Sequence, residues 1–279
     1  MTAWEKELSD LEKLERISKE QAEFYRRLGK IQAEYRKRLE KEKLFQVPKG
    51  NLTKIKKGLP LVRFSKVKID ETCLASIFKD VSQLFDGFNS KKIEELNIKE
   101  LIEKVIKIQN PESRIQNEEK EYLEDLSDKL KIDKDLLFFV SINTALPIFE
   151  TIARKLKPKI DEKLWFRNYC PVCGGKPLIA RLKKEEGKKV LQCAICNTEW
   201  QFQRIKCVWC GTEDPKDLRF FWADEGSCRV DVCDKCKGYI KTLDERKILD
   251  DKEVIPQIED IATTYLNILA EKEGYNRTS

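Results

Sequence analysis

Apolar residues recur every three or four positions through the first 160 residues, which is the period of helices that bury one face. This spacing predicts helices over residues 3–45, 70–88, 93–108, 118–130 and 134–156. The last of them contains the run LLFFVSINTALPIF, which is apolar nearly all round and typical of the centre of a helical core. The first half of the chain is therefore a predicted helical domain.

Two features of these helices leave alternatives open. Residues 3–45 form either a self-associating coiled coil or an amphipathic helix lying on its own domain, and the second is favoured because the heptad pattern breaks near Ser18. Pro147 should kink or break the core helix. The neighbouring Ser141, Asn143 and Thr144 then either build a polar site or cap the disturbed turn, and capping is the favoured interpretation.

The segment between the first two helices carries a basic strip. Pro48 and Gly50 indicate a linker, and residues 49–68 include seven basic side chains and no acidic one. Residues 59–69 have an extended pattern. The strip is either a solvated surface or a docking strip for an acidic partner, and the first is favoured.

Beyond residue 165 the pattern becomes typical of short strands separated by turns. Strands are predicted at 176–182, 188–192, 198–206, 218–223, 229–232 and 239–243, followed by an amphipathic helix at 253–273. The fold class is therefore α+β, with a helical domain at 1–164, two small modules at 165–206 and 207–250, and a C-terminal helix at 251–279.

Four Cys-x-x-Cys pairs dominate this second half. A two-residue spacer lets a tight turn present both sulfurs to one point, so two pairs can enclose one ion. Gly174, Asn197 and Gly211 follow three of the pairs and tolerate the positive φ that such turns require, whereas Lys237 follows the fourth. Grouping in chain order is favoured over an interleaved arrangement because it closes shorter loops. Cys73 and Cys228 have no pair and are predicted to be packed core residues.

Composition narrows the chemistry of these sites. The chain has no histidine, so each site must be all sulfur, a ligand set that suits Zn²⁺ or a single iron of the rubredoxin kind. Disulfides are disfavoured because no leader sequence is evident and a cytoplasmic location is expected. A thioredoxin-type dithiol would need only one pair. With four ligands filled, a site holds structure or passes one electron, and catalysis is disfavoured.

Charge bears on the choice of partner. Charged residues make up 37% of the chain, with 55 basic and 49 acidic residues, which suggests a soluble and thermophilic protein. Residues 165–250 contain 17 basic and 13 acidic residues, and two ions bound by eight thiolates would bring this region close to neutrality. A nucleic-acid partner is therefore not expected. The longest apolar run, Leu136–Val140, is too short for membrane insertion.

Four sequence motifs resemble the FdhE type of formate dehydrogenase accessory protein. They are NYCPVCGGKP at residues 168–177, LQCAICNTEWQFQRIKCVWCG at 191–211, CDKCKGYIKTL at 233–243 and YLNILAEKEGYNR at 265–277. The resemblance implies two rubredoxin-like modules with iron as the expected metal. It also implies a cytoplasmic maturation factor that contacts the catalytic subunit of a molybdenum or tungsten formate dehydrogenase.

By the same resemblance, the metal ligands would be Cys170, Cys173, Cys193 and Cys196 in one site and Cys207, Cys210, Cys233 and Cys236 in the other. Thr198, Glu199, Trp200 and Arg204 would surround them, with no catalytic residue. The main functional expectation is a maturation factor. The alternatives are a rubredoxin-like electron carrier and a zinc ribbon that binds nucleic acid.

Overall fold

The computed structural model describes residues 2–42, 45–46, 53–88, 90–109, 116–223, 225–248 and 254–277. Its helical half contains α1 (Ala3–Lys13), α2 (Lys19–Lys41), α3 (Thr53–Lys56), α4 (Glu71–Ser82), α5 (Ser90–Glu94), α6 (Ile98–Ile108), α7 (Gln116–Leu130) and α8 (Lys134–Leu156). The apolar helix α8 lies at the centre and packs against α2, α4, α6 and α7. The predicted α+β class is confirmed.

The prediction of one helix over residues 3–45 is wrong. Helix α1 ends at Lys13, and Glu15 adopts a positive φ of 56°. Ser18 then begins α2 through a capping box, in which its side chain accepts from the Gln21 N–H and the Gln21 side chain accepts from the Ser18 N–H. Helix α2 lies on α8, so the first segment covers its own domain, as the favoured interpretation predicted.

Two other helices are shorter than their periodicity predicts. Asp70 caps α4 by accepting from the Cys73 N–H, but the helix ends at Ser82 and does not reach residue 88. The helix predicted from residue 93 is divided, because Asn97 accepts from the Glu100 N–H and begins α6 one residue later. At Asn97 the capping side chain offers the backbone a local partner and so favours the break.

Helix α8 runs unbroken through Pro147, so of the two predicted outcomes, a kink or a break, the break is wrong. Proline has no N–H and leaves the carbonyl of Asn143, four residues earlier, without its helical donor. Gln32 on α2 supplies one, with its Nε2 3.4 Å from that carbonyl and 3.0 Å from the Asn143 Oδ1. Ser141 and Thr144 donate to carbonyls four residues before them. These side chains cap the backbone, as the favoured interpretation predicted.

The segment that carries the basic strip is only partly extended. Strands β1 (Phe45–Gln46) and β2 (Lys68–Ile69) pair antiparallel, and a 3-10 turn occupies Phe64–Lys66. Between them, the N–H groups of Leu61 and Val62 donate to the carbonyls of Pro171 and Val172 at 3.0 and 2.9 Å. The strip therefore runs beside the first module. Its beginning, with Pro48 and Gly50, lies outside the described residues.

The second half forms a six-stranded mixed sheet. Its strands are β3 (Pro177–Leu182), β4 (Lys189–Cys193), β5 (Glu199–Gln201), β6 (Leu218–Phe221), β7 (Cys228–Cys233) and β8 (Tyr239–Asp244), in the order β5-β4-β3-β8-β7-β6. Neighbours are antiparallel except β3 and β8, which pair in parallel with Ala180 opposite Thr242. One sheet thus continues across the predicted boundary at residue 206.

The predicted C-terminal helix is divided at Thr263 into α9 (Pro256–Ala262) and α10 (Thr264–Lys272). Helix α9 packs on α1, where Ile258 and Ala262 share a core with Leu8 and Leu11. Helix α10 packs on β7 in the second module. The chain end therefore contacts both halves of the protein.

One helical stretch of the described chain, Lys134–Lys159, is long and apolar enough to cross a membrane by length and composition alone. Within the protein, 61% of the most apolar part of this stretch is buried. The core helix of a soluble protein passes the same test, so this stretch is weak grounds for a membrane span.

Candidate metal centres

The first candidate centre lies between the bundle and the sheet. The Sγ atoms of Cys170, Cys173, Cys193 and Cys196 all lie within 4.8 Å of one another, and all four residues are buried. Cys170 and Cys196 are 3.4 Å apart at sulfur, as are Cys173 and Cys193, and the Cys173–Cys196 separation is 3.6 Å. The structure therefore groups these residues in chain order.

The second candidate centre lies beside strands β7 and β8. Cys207, Cys210, Cys233 and Cys236 form its group, again within 4.8 Å of one another at sulfur. The Cys207–Cys236 and Cys210–Cys233 separations are both 3.7 Å. Cys210 is exposed and Cys236 is partly exposed, so the second centre is closer to solvent than the first.

Backbone turns aim N–H groups at these sulfurs. The residues after the four pairs, Gly174, Asn197, Gly211 and Lys237, have φ values of 78°, 55°, 75° and 56°. The positive φ predicted at the first three is confirmed, and Lys237 adopts it despite its side chain. N–H groups of the turns then donate to sulfur at 3.3–3.5 Å, from Gly175, Ile195, Trp209 and Cys210.

Both groups have the dimensions of a tetrathiolate site. Four sulfurs about 2.3 Å from a central ion lie about 3.8 Å from each other, close to the separations seen here. Bonded sulfurs would be about 2.05 Å apart, and all ten cysteines are free thiols. Burial raises the pKa of the Cys173, Cys196 and Cys207 thiols. A divalent cation would replace their protons, since its charge stabilises the thiolates, so each group could hold a metal ion.

The four residues expected to surround the centres each have different contacts. The Thr198 Oγ1 lies 3.0 Å from the Cys196 sulfur, and the buried Trp200 donates from its indole N–H to the Arg167 carbonyl at 2.9 Å. Glu199 forms an ion pair with Arg181 on the sheet. Arg204 is exposed, and its guanidinium lies beside Gly187 in the turn between β3 and β4.

The first centre shares its hydrophobic core with the helical bundle. All four of its cysteines belong to the same buried cluster as the centre of α8. The Tyr169 hydroxyl, next to the first ligand pair, donates to the Gly58 carbonyl at 2.6 Å. Together with the Leu61 and Val62 hydrogen bonds described above, these contacts fix the first pair to the bundle.

The second centre is supported mainly from the sheet and the chain end. Val230, Val232 and Tyr239 form a separate buried cluster with Leu266 and Ala270 of α10. The Trp209 indole donates to the Tyr239 carbonyl at 2.9 Å. A Cβ at residue 238 would lie 2.4 Å from this indole ring, which explains the glycine there.

Cys228 and Cys73 belong to neither group. Both are buried, as predicted for packed core residues. Burial raises the pKa of the Cys228 thiol to about 12, so it stays protonated at neutral pH.

A large cleft lies next to the first centre, and no pattern in the sequence indicates it. Helices α2, α8 and α9 and the first module enclose it, and Lys176 and Asn197 of that module line it. A lysine at the start of a strand has no distinguishing signal in sequence. Only the packing of distant segments reveals that Lys176 is buried.

A helical bundle joined to a sheet with two closed four-cysteine groups defines a class of metal-binding proteins whose sites lack an open coordination position. Residues 169–204 match the family model described as "FdhE, central domain", and residues 205–279 match "FdhE, C-terminal domain". Residues 169–279 of this chain therefore have the two domains of the FdhE family, and the resemblance inferred from the cysteine motifs is confirmed.

Curated relatives match about half of the chain. A "Protein FdhE homolog" of Aquifex aeolicus is 38% identical over 164 residues, which cover 57% of this chain and 56% of the relative. A "Protein FdhE homolog" of Haemophilus ducreyi is 32% identical over 50% of this chain and 46% of the relative. "Protein FdhE" of Escherichia coli K12 is 33% identical over 40% of this chain and 36% of the relative. The chain thus matches about half the length of the first of these.

The fold also has a counterpart among solved structures. The crystal structure of the FdhE protein from Pseudomonas aeruginosa aligns with a TM-score of 0.61, covering 92% of this chain and 88% of that one. Sequence identity over the alignment is 15%, so this likeness concerns the fold alone. It extends the similarity to the helical half, which the family models do not match.

Proposed function

We propose that this protein is a cytoplasmic accessory factor for the maturation of formate dehydrogenase and that it binds the catalytic subunit of that enzyme. The metal ligands in this proposal are Cys170, Cys173, Cys193 and Cys196 in the first centre, and Cys207, Cys210, Cys233 and Cys236 in the second. Each centre holds one zinc or iron ion. The observation that carries the proposal is the presence of two tetrathiol groups within matched FdhE domains.

A binding role agrees with the chemistry of the sites. A metal with four protein ligands has no position left for water or substrate, so it supports structure or carries one electron. The first centre joins the bundle core to the sheet, and the second braces the far end of that sheet. Both centres therefore stiffen a surface on which another protein can dock.

The test combines a pull-down with a complementation assay. The tagged protein is purified without oxygen from cells that make formate dehydrogenase, and both its metal content and its co-purified catalytic subunit are measured. We expect about two metal ions per chain and recovery of the subunit. A variant with Cys170→Ser and Cys173→Ser should lose one ion, the subunit and the restoration of formate dehydrogenase activity.

A matched control is Cys228→Ala, which removes a buried thiol outside both groups. This variant should keep both ions and the partner. The proposal is wrong if the double variant still binds the catalytic subunit and restores activity as well as the control does.

The exposure of Cys210 favours electron transfer as a second candidate function. A rubredoxin-type iron exchanges electrons most readily where a ligand sulfur reaches solvent, and Cys210 is exposed whereas the first centre is buried. The visible spectrum of the protein purified without oxygen separates the candidates. A colourless protein that contains zinc in both centres cannot be an electron carrier of this kind.

A further inference from the structure

The cleft beside the first metal centre has a volume of about 1010 Å³. This is at the upper end of the range for ligand pockets, roughly 300–1,000 Å³. Aromatic and aliphatic side chains cover much of its wall, including Trp4, Phe138, Phe139, Leu146 and Trp209. Exposed charged side chains of α2 stand at its rim. The cleft can therefore accept a ligand with apolar groups.

Lys176 lines this cleft and lacks a partner. Lys176 as a whole residue is only 7% exposed. Among the described residues, none accepts a hydrogen bond from its ammonium group or forms an ion pair with it. Burial, and then the charge of Lys120, lower the pKa of Lys176. An ammonium group in a largely apolar cleft is stabilised by an anionic acceptor, so this position is suited to an acceptor that arrives from outside.

Two further polar atoms in the cleft lack partners, and both are acceptors. The Asn197 Oδ1 and the Gln257 Oε1 are buried and have no donor among the described residues. The orientation of the Asn197 amide is fixed, because its Nδ2 donates to Glu150, which is also paired with Arg36. One unpartnered donor and two unpartnered acceptors therefore belong to residues that line one space, contributed by the first module and by α9.

We infer that this cleft binds an extended, partly apolar peptide segment whose carboxylate pairs with Lys176. A peptide satisfies all three groups together, since its carboxylate accepts from Lys176 and its backbone N–H groups donate to Asn197 and Gln257. An inorganic anion would satisfy only the lysine. The apolar wall takes the remaining side chains of the segment. This inference does not depend on the identity of the enzyme in the proposed function.

The test begins with a displayed library of random octapeptides, selected on the intact, metal-loaded protein. We expect enrichment of sequences that combine aspartate or glutamate with leucine or aromatic residues. A selected peptide is then synthesised with a fluorescent label and titrated by anisotropy. Replacing its acidic residue by the corresponding amide should weaken binding about tenfold or more. Comparing the selected peptide with a free and with an amidated C-terminus shows whether Lys176 pairs with a side-chain carboxylate or with the terminal one.

Two variants connect binding to the cleft. Lys176→Met keeps the aliphatic stem and removes the charge, so it should weaken binding about tenfold while thermal stability stays the same or rises. Ala33→Trp fills the wall formed by α2 and should abolish binding. Lys129→Met is the matched control, since it removes an exposed lysine from α7 outside the cleft and should leave affinity unchanged.

Three results would overturn the inference. The first is a selection that enriches no peptide on the wild-type protein. The second is equal affinity of the selected peptide for wild type and Lys176→Met. The third is a fall in stability of Lys176→Met comparable to its loss of binding, because that would make the lysine a structural residue.

Discussion

The two centres should differ in what their loss does to the rest of the protein. Cys173 and Cys210 occupy the same place, as the second cysteine of the first pair in each group, so Cys173→Ser and Cys210→Ser form a matched comparison. We expect each variant to retain one ion. Only Cys173→Ser should also loosen the helical bundle, because its centre shares the core of α8.

The size of the effect follows from typical metal energetics. Structural zinc sites contribute roughly 10–16 kcal/mol of apparent binding free energy, so one ligand of four accounts for about 3 kcal/mol. That is a large part of the ~5–15 kcal/mol by which domains are stable. At roughly 2–4 °C per kcal/mol, the melting temperature of the bundle should fall by about 6–12 °C in Cys173→Ser. Cys210→Ser should lower it by only a small part of this, since most strand residues of its module belong to another cluster.

Amide hydrogen exchange measured by mass spectrometry locates the loss. Peptides from α8 and from residues 58–62 should exchange faster in Cys173→Ser, and peptides from β6 and β7 should exchange faster in Cys210→Ser. Metal analysis of the same samples confirms that each variant has lost one ion. Equal exposure of α8 in both variants would refute the reasoning, because it would mean that the bundle depends on both centres alike.

Three further predictions concern buried polar groups. Gln32→Ala removes the donor to the Asn143 carbonyl and should lower the free energy of unfolding, measured in urea, by about 1–3 kcal/mol. An unchanged urea midpoint would show that water replaces the Gln32 donor. Burial alone would raise the pKa of the Asp231 carboxyl group. The charges of Lys189 and Arg229 outweigh burial, so the pKa lies below its usual value. The ionised Asp231 therefore stabilises the fold fully above about pH 4, and this stabilisation is lost as pH falls through the pKa of the folded state. Asp231→Asn should flatten the acid side of a plot of melting temperature against pH. Asp260→Ala leaves the fully buried Lys241 without its 2.8 Å ion pair and should cost about 3–5 kcal/mol by chemical denaturation, whereas Lys241→Met should cost clearly less.

Local patterns predicted most strands of the metal modules, but the strand predicted at 198–206 is wrong in length, since β5 covers only Glu199–Gln201. Strands predicted at 176–182 and 188–192 are present as the hairpin of β3 and β4, which turns at Glu186 and Gly187, both with positive φ. The lower cost of closing short loops also predicted that the sulfurs group in chain order. Such features depend on residues close in sequence, where turn geometry and side-chain alternation act directly.

Features that depend on distant segments were not predictable in the same way. The helix expected at residues 253–273 divides at Thr263, and its first half α9 packs on α1 and on β3, whereas α10 packs on β7. The parallel pairing of β3 with β8 joins two modules that look separate in sequence. Pro147 fails to break α8 because Gln32, more than a hundred residues away, supplies the missing donor.

The first centre also organises the wall of the cleft. The turn that carries Cys196 places the next residue, Asn197, at a positive φ of 55°, and its amide then reaches Glu150 on α8. Lys176 is held beside the same turn, since its carbonyl accepts from the Ala194 N–H at 3.0 Å while its own N–H donates to the Gln109 carbonyl at 3.0 Å. Both unpartnered groups of the module are thus fixed by backbone that the sulfurs hold in place. The polar groups of the cleft therefore depend on the first centre, while the second centre contributes Trp209 to the apolar wall.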